Sequence, residues 1–199
     1  MRLTHLVFAT VALLAVWQFV SSRPIQHDPG EIAAADPLQS QLEAPQALTR
    51  GDFQVIPQAQ FSAEVRVLSR ERYRLGALAD VAPLDIAVGW GRMSDSAVLA
   101  ELKIWQSGRF YFWQYEDEPP IPTEEIVSHS ANWHLVPAND VVWNKLDGIK
   151  VGDVVQLEGK LVNLENPEVG TMSTSLTRAD SGAGACEIIY VEKASIRRR

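Results

Sequence analysis

One cysteine and two histidines are the side chains in this sequence that could act as a nucleophile and its base. Cys186 is the only cysteine, and His129 and His134 are the only histidines after residue 60. A thiol attacks an acyl carbon when a nearby base takes its proton, and Asp180 is a candidate to orient such a base. The alternatives for Cys186 are a buried apolar position, which is common for an unpaired cysteine, and a disulfide to another chain.

The spacing of the two histidines argues against a metal site. His129 and His134 lie five residues apart, which places them on opposite faces of a strand or about 140° apart on a helix. One element cannot aim both rings at one ion, so we predict neither a metal site nor a cofactor. The sequence also lacks the Ser-x-x-Lys and Gly-x-Ser-x-Gly motifs of serine acyl-transfer enzymes.

Residues 173–187 form the densest polar segment, around the glycine-rich stretch 182–184. Arg178 and the turn amides could bind an anion, with Asp180 positioning Arg178 and Ser175 on the same segment. The alternative is a hairpin turn in which the side chains of Asp180 and Ser181 hydrogen-bond the backbone. Both interpretations place the turn at the surface.

A second polar segment, residues 128–134, alternates hydroxyl, imidazole and amide side chains. We predict either a buried polar network that links helices to the sheet or a ligand site built from His129, Asn132 and His134. These side chains carry both donors and acceptors, so burial requires that they pair with one another.

Aromatic residues are concentrated between Trp105 and Tyr115. Because both faces of the strand 110–115 carry aromatic side chains, one face is predicted to be core and the other exposed. Exposed aromatic patches mark contacts with partners or sugars, and we assign such a contact to Tyr111 and Trp113. Packing of the whole group in the core is the alternative.

The elements that must position these residues are mostly strands. The apolar alternation predicts strands near 61–68, 84–88, 154–164, 171–178 and 186–196, and a hairpin in which 104–105 and 110–115 flank a turn at 106–109, with short helices starting near Asp95, Thr123 and Asn139. This predicts a mainly β (α+β) fold, an antiparallel barrel or sandwich. Residues 150–162 resemble a strand of oligosaccharide/oligonucleotide-binding (OB) barrels, in which Gly159 lets the strand bend.

The first 22 residues have the pattern of an export signal. A basic start precedes the apolar run 6–20, which predicts an uncleaved inner-membrane anchor with a periplasmic body or, alternatively, a cleaved signal peptide. Residues 23–59 are proline-containing and lack periodicity, so we predict a flexible tether followed by a β-rich domain over 60–199. The net charge of −7 argues against binding to nucleic acid.

Three segments resemble an uncharacterised family of bacterial exported or membrane-anchored proteins. They are Gly-Trp-Gly-Arg-Met-Ser-Asp at 89–95, His-Ser-Ala-Asn-Trp-His-Leu at 129–135 and the stretch 175–187 that ends in Gly-Ala-Cys-Glu. The resemblance covers most of the chain from residue 61. It implies a shared fold and an envelope location, and it assigns no activity.

With no catalytic motif in the sequence, we predict a binding or scaffolding protein of the bacterial envelope, with another envelope protein as its partner. One alternative is an envelope hydrolase or transferase that uses Cys186 with His129 or His134. A further alternative is a purely structural component. Thiol reactivity separates the enzyme hypothesis from the other two, because a catalytic thiolate reacts at neutral pH.

Overall fold

The computed structural model describes residues 23–177 and 186–197, with His5, Val7, Phe8, Ala12 and Leu13 near the amino terminus. The described part is mainly β with few short helices. Its strands are β1 (Leu38–Ser40), β2 (Leu48–Arg50), β3 (Phe53–Arg72), β4 (Leu84–Gly89), β5 (Lys103–Ser107), β6 (Phe110–Gln114), β7 (Ser130–Pro137), β8 (Val154–Asn166), β9 (Gly170–Met172) and β10 (Glu187–Arg197). Its helices are α1 (Ala77–Val81), α2 (Ser96–Ala100), α3 (Thr123–Ser128) and α4 (Asp140–Asp147), with a 3-10 turn over Gly91–Ser94.

Five strands form a closed ring of pairings. Strand β3 pairs with β4, β4 with β7, β10 with β8 and β8 with β3, all antiparallel, while β7 and β10 are parallel. The 20 residues of β3 allow its first part to pair with β8 and its last part with β4. The short strands β1 and β2 pair with β3, and β9 extends the sheet from β8.

The interior of the ring holds the main hydrophobic core. Successive side chains of a strand point to opposite faces, so Leu84, Ile86, Trp133 and Leu135 face inward and are fully buried. The rings of Phe61 and Trp133 pack edge to face, with 5.3 Å between their centroids. Helix α4 contributes its buried face to this core. It is capped by Asn139, whose Oδ1 accepts a hydrogen bond from Val142 N at 3.0 Å, and it ends at Gly148, as predicted.

Gly159 lies where β8 bends past β10. A Cβ at this position would lie 2.0 Å from the main-chain oxygen of Tyr190, and the register of β10 shifts between Val191 and Lys193 directly opposite. A bulge and a glycine together let a strand curve. The close approach explains why this strand needs glycine, the role expected for Gly159 from the sequence.

Replacing Gly159 with alanine is expected to lower the free energy of unfolding by about 1–3 kcal/mol, because the added methyl group overlaps backbone that cannot move aside. Urea unfolding followed by tryptophan fluorescence measures the change. Gly148→Ala is the matched control, since a Cβ there would lie 3.4 Å from the oxygen of Lys145. Equal stability of the two variants would contradict this account of the bend.

Residues 23–59 differ from the predicted flexible tether. Strand β3 already begins at Phe53, and the preceding segment lies along the body. Ile25 N donates to Val151 O at 2.8 Å, and the amide of the buried Ala33 donates to Ser94 Oγ at 3.1 Å. Hydrophobic periodicity does not detect a segment held by such polar contacts. The body therefore includes much of the range assigned to the tether.

None of the helices formed by the described residues has the length and hydropathy needed to cross a bilayer. The predicted leader, residues 1–22, lies almost entirely outside the described residues. The strand predicted over 171–178 is shorter than expected: Thr171 and Met172 belong to β9, 173–177 are irregular, and residue 178 lies outside the described residues.

Candidate functional site

Four polar residues from three parts of the chain lie on the outer face of the ring. Asp85 of β4 is directly opposite His134 of β7, and His134 is in turn in register with Ile188 of the parallel strand β10. Asn132 lies two residues before His134, and Cys186 lies two residues before Ile188. Because side chains alternate between faces, Asn132 and Cys186 lie on the same face as His134 and Ile188. The strand register thus brings a carboxylate, an imidazole, an amide and a thiol together.

His134 and Asp85 form a buried charged contact. Nδ1 of His134 lies 2.9 Å from Oδ1 of Asp85, with the two side chains 6% and 0% exposed. His134 Nδ1 makes no hydrogen bond of normal geometry to a described residue. Its contact with Asp85 is therefore an ion pair. Burial by itself lowers the pKa of His134, but the contacts with Asp85 and Cys186 outweigh it and raise the pKa to about 9. His134 is therefore an imidazolium at neutral pH.

Arg109, at the tip of the β5–β6 hairpin, gives Asp85 a second cationic partner. Its Nη1 donates to Asp85 Oδ1 at 3.0 Å and to Ala82 O at 3.1 Å, while the guanidinium lies 3.9 Å from the centre of the Tyr73 ring. Its backbone is left-handed, with φ of 68°, an uncommon conformation for a residue other than glycine. The hairpin tip is therefore anchored to the sheet at Asp85.

Cys186 is half-buried beside His134. The thiol donates to Arg109 O at 3.9 Å, and Nε2 is the ring nitrogen of His134 that does not face Asp85. Asn132 Nδ2 lies 3.8 Å from the sulfur and donates to Arg109 O at 3.0 Å. Asn132 Oδ1 accepts from Gln106 Nε2 at 2.7 Å. These contacts fix the amide so that its NH2 group points towards the sulfur.

A cavity of about 290 Å3 opens at the thiol. Its lining is mostly apolar in area and comes from Arg109, Phe110, His134, Met172, Ser173, Cys186 and Ile188. The lining is of the kind found in ligand sites, apolar with a few placed polar groups.

Several predicted site residues lie elsewhere. His129 is outside the cluster: its Nδ1 contacts Ser128 Oγ at 2.9 Å, and its ring lies 6.1 Å from that of Trp90. Ser175 is next to the site through its amide, which donates to Cys186 O at 3.0 Å, but its hydroxyl donates to Thr177 O. Of the predicted site residues on the 173–187 segment, Arg178 and Asp180 lie outside the described residues.

The two residues predicted to contact a partner, Tyr111 and Trp113, are not on the exposed face of the hairpin. Tyr111 and Trp113 are partly buried against the sheet, and the hydroxyl of Tyr111 is hydrogen-bonded to that of Ser130. Burial raises the pKa of Tyr111. The exposed aromatic side chains of the hairpin are Trp105 (37%), Phe110 (41%) and Phe112 (41%), and the rings of Trp105 and Phe112 stack 5.5 Å apart. We call these three residues the aromatic strip.

The sequence patterns did not identify Asp85 and Arg109 as site residues. Asp85 carries the one usable signal, because it is the only charged residue in the apolar run 84–88, where every position is buried. A charge in such a strand needs a partner. Arg109 carries no comparable signal, since an arginine at a hairpin tip is usually solvated.

Among the described residues, no group of three or more His, Cys, Asp and Glu side chains is arranged to hold a metal ion. Comparison of the chain with protein-family models, with curated proteins and with solved structures finds no match. The interpretation of the site therefore depends on its geometry. That geometry is a thiol, an imidazole and a carboxylate next to a small cavity, which are the groups to look for in a nucleophilic site.

Proposed function

We propose that the protein is a thiol-dependent acyl-transfer enzyme, a hydrolase or transferase with Cys186 as its nucleophile. The observation that carries the proposal is that Cys186 and His134 line the same cavity and that His134 contacts the buried carboxylate of Asp85 at 2.9 Å. This is the arrangement that nucleophilic catalysis requires. It replaces Asp180 of the sequence-based hypothesis with Asp85 as the residue that orients the base.

In the proposed reaction, the sulfur of Cys186 attacks the acyl carbon of an ester or thioester, forming a C–S bond. The bond to the leaving alcohol or thiol breaks, and the leaving group takes the proton of His134 Nε2. Water or an acceptor alcohol then attacks the acyl-enzyme and gives its proton to His134, and the C–S bond breaks to restore the thiolate. No other reactant is needed.

Asn132 supports the charge that develops on the acyl oxygen. Its Nδ2 lies 3.8 Å from the sulfur, and its orientation is fixed by Gln106 and Arg109. A donor that is already oriented stabilises an oxyanion without reorganisation, and removing one such donor typically costs about 10²–10³ in rate.

The direct test is to detect the acyl-enzyme. Incubation with p-nitrophenyl acetate at pH 7 is expected to add one acetyl group per chain, which intact-protein mass spectrometry resolves and peptide mapping assigns to Cys186. Because the chain has a single cysteine, Cys186→Ser separates this thiol from background acylation of amines. Acetylation at equal rates in both proteins would refute the proposal.

We also propose that the closed ring is a barrel of the OB type rather than a sandwich. Its support is a ring of five strands with one parallel pair and a helix, α4, between β7 and β8. Ligands of such barrels bind over the second and third strands and the adjoining loops. In this ring those strands are β4 and β7, which carry Asp85 and His134.

The cellular location remains a proposal as well. The apolar run 6–20 and the basic start support a body outside the cytoplasm, held by an inner-membrane anchor or released after cleavage. Membership of the family of exported bacterial proteins is supported by the segments 89–95, 129–135 and 175–187. An alkaline phosphatase fusion after residue 60 tests the orientation, and an inactive fusion would refute it.

A second candidate function is binding to another envelope protein through the aromatic strip, which is exposed and apolar. Trp105→Ala and Phe112→Ala are expected to abolish crosslinking to that partner, because aromatic anchors dominate interface energies. Leu75→Ala is the control, since Leu75 is 91% exposed and distant from the strip in sequence. Unchanged crosslinking in the double variant would exclude this surface.

A further inference from the structure

We propose that the cavity at Cys186 takes the acyl part of the substrate, and that this part is an uncharged, short, straight chain of about four to six carbons. The inference rests on the proposed acyl-transfer function and names its substrate class. Three features of the cavity support it. They are its volume, the contacts that its charged side chains already make within the protein, and the way it runs from a buried end to an exposed end.

The volume limits the chain length. About 290 Å3 lies just below the range of about 300–1,000 Å3 for small-molecule sites. If each non-hydrogen atom takes about 30 Å3, the volume of a water molecule in the liquid, the cavity holds roughly ten such atoms. A chain of about four to six carbons, with its carbonyl group and part of the leaving group, fills that space.

The two cationic side chains that line the cavity already contact Asp85. Arg109 Nη1 donates to Asp85 Oδ1 and to Ala82 O, and Nδ1 of His134 lies 2.9 Å from the same carboxylate oxygen. A carboxylate on the acyl chain would have to compete with these contacts. The rest of the wall is largely apolar and includes Met172 and Ile188, so an apolar chain gains about fourfold in binding for each methylene group that it buries.

The cavity runs from a buried floor to an exposed mouth. Ile188 is 1% exposed, whereas Phe110 is 41% exposed, and both line the cavity. Met172 packs on the same apolar cluster as Ile188. The acyl chain therefore points towards Ile188 and Met172, and the leaving group passes Phe110 into solvent.

The experiment compares p-nitrophenyl esters of increasing acyl length on the full chain. The kcat/KM is expected to rise about 15-fold from acetate to butyrate, the gain of two methylene groups, and to fall by octanoate. Met172→Trp, which fills the cavity, should move the optimum to acetate. Met172→Ala, which enlarges the cavity, should move it to longer chains. Val169→Trp and Val169→Ala are matched controls on the exposed turn before β9 and should leave the optimum unchanged.

The outcomes separate this inference from the function on which it rests. Turnover that depends on Cys186 but shows no chain-length preference, or an anionic succinyl ester that reacts as fast as butyrate, overturns the inference and leaves acyl transfer standing. If no ester acylates Cys186, the proposed function fails and the inference fails with it. An optimum that moves in opposite directions in the two Met172 variants supports both, and the Met172→Ala arm remains informative if the tryptophan variant does not fold.

Discussion

Replacing His134 with alanine is expected to slow acyl transfer at neutral pH by about 10²–10⁴-fold, the usual contribution of a general acid–base group. The imidazolium supplies the proton for the leaving group. With a pKa of about 9, His134 holds that proton at pH 7. This proton donor is lost with the ring.

Two substrates with different leaving groups make the test specific. Loss of the proton donor should slow an alkyl ester, whose alkoxide needs a proton, more than a p-nitrophenyl ester, whose phenolate does not. His129→Ala is the matched control, because His129 lies outside the cluster, against Trp90 and Ser128. Added imidazole should restore part of the lost rate. An equal loss for both esters would show that His134 is not the proton donor.

The elements that position the site were largely predictable from local patterns. Burial alternates along β3 and β8 in step with the apolar residues of the sequence. A strand with one face in a core needs an apolar residue at every second position. The caps of α4, Asn139 and Gly148, and the glycine at the bend of β8 also follow from local rules. The buried polar character of Ser130, Asn132 and His134 agrees with the predicted polar network.

The composition of the site was not predictable, because it depends on which strands become neighbours. Asp85 meets His134 only because β4 and β7 pair in a register that joins residues 49 positions apart. Cys186 joins them only through the parallel pairing of β7 and β10. Local periodicity identifies strands and their faces but carries no information on partners.

The hairpin of β5 and β6 is a second case in which local sequence patterns do not identify the partner of an element. Both of its faces are aromatic, so the pattern 110–115 predicts a strand but not which face is covered. The covered face is the one whose polar side chains find hydrogen-bond partners on β7. Gln106 is hydrogen-bonded to Asn132, and Tyr111 to Ser130. The covered side therefore follows from hydrogen-bond partners that lie elsewhere in the chain.

The free energy of unfolding is expected to fall by about 3 kcal/mol as the pH rises from about 6.5 to above 9, because His134 loses its proton over this range. Its pKa is raised from 6.5 to about 9 by folding, and each unit corresponds to about 1.36 kcal/mol. A raised pKa means that the folded state binds the proton more tightly. The stabilisation is therefore complete below pH 6.5 and is lost as the pH passes through about 9.

Two variants isolate this contribution from other groups that titrate in the same range. Asp85→Asn removes the anion that holds the proton on His134, so it should flatten the pH dependence of the free energy of unfolding. At pH 6 it should also lower that free energy by about 3–5 kcal/mol, because Arg109 and His134 lose their counter-ion. His134→Gln should flatten the curve while keeping the pair of Asp85 with Arg109, which makes the test independent of whether the first variant folds. The measurement is urea unfolding at pH 6 and pH 10. Parallel curves for the wild type and His134→Gln would mean that the charge of His134 is not coupled to folding, and the ion pair with Asp85 would then be too weak to orient the base that the proposed acyl transfer requires.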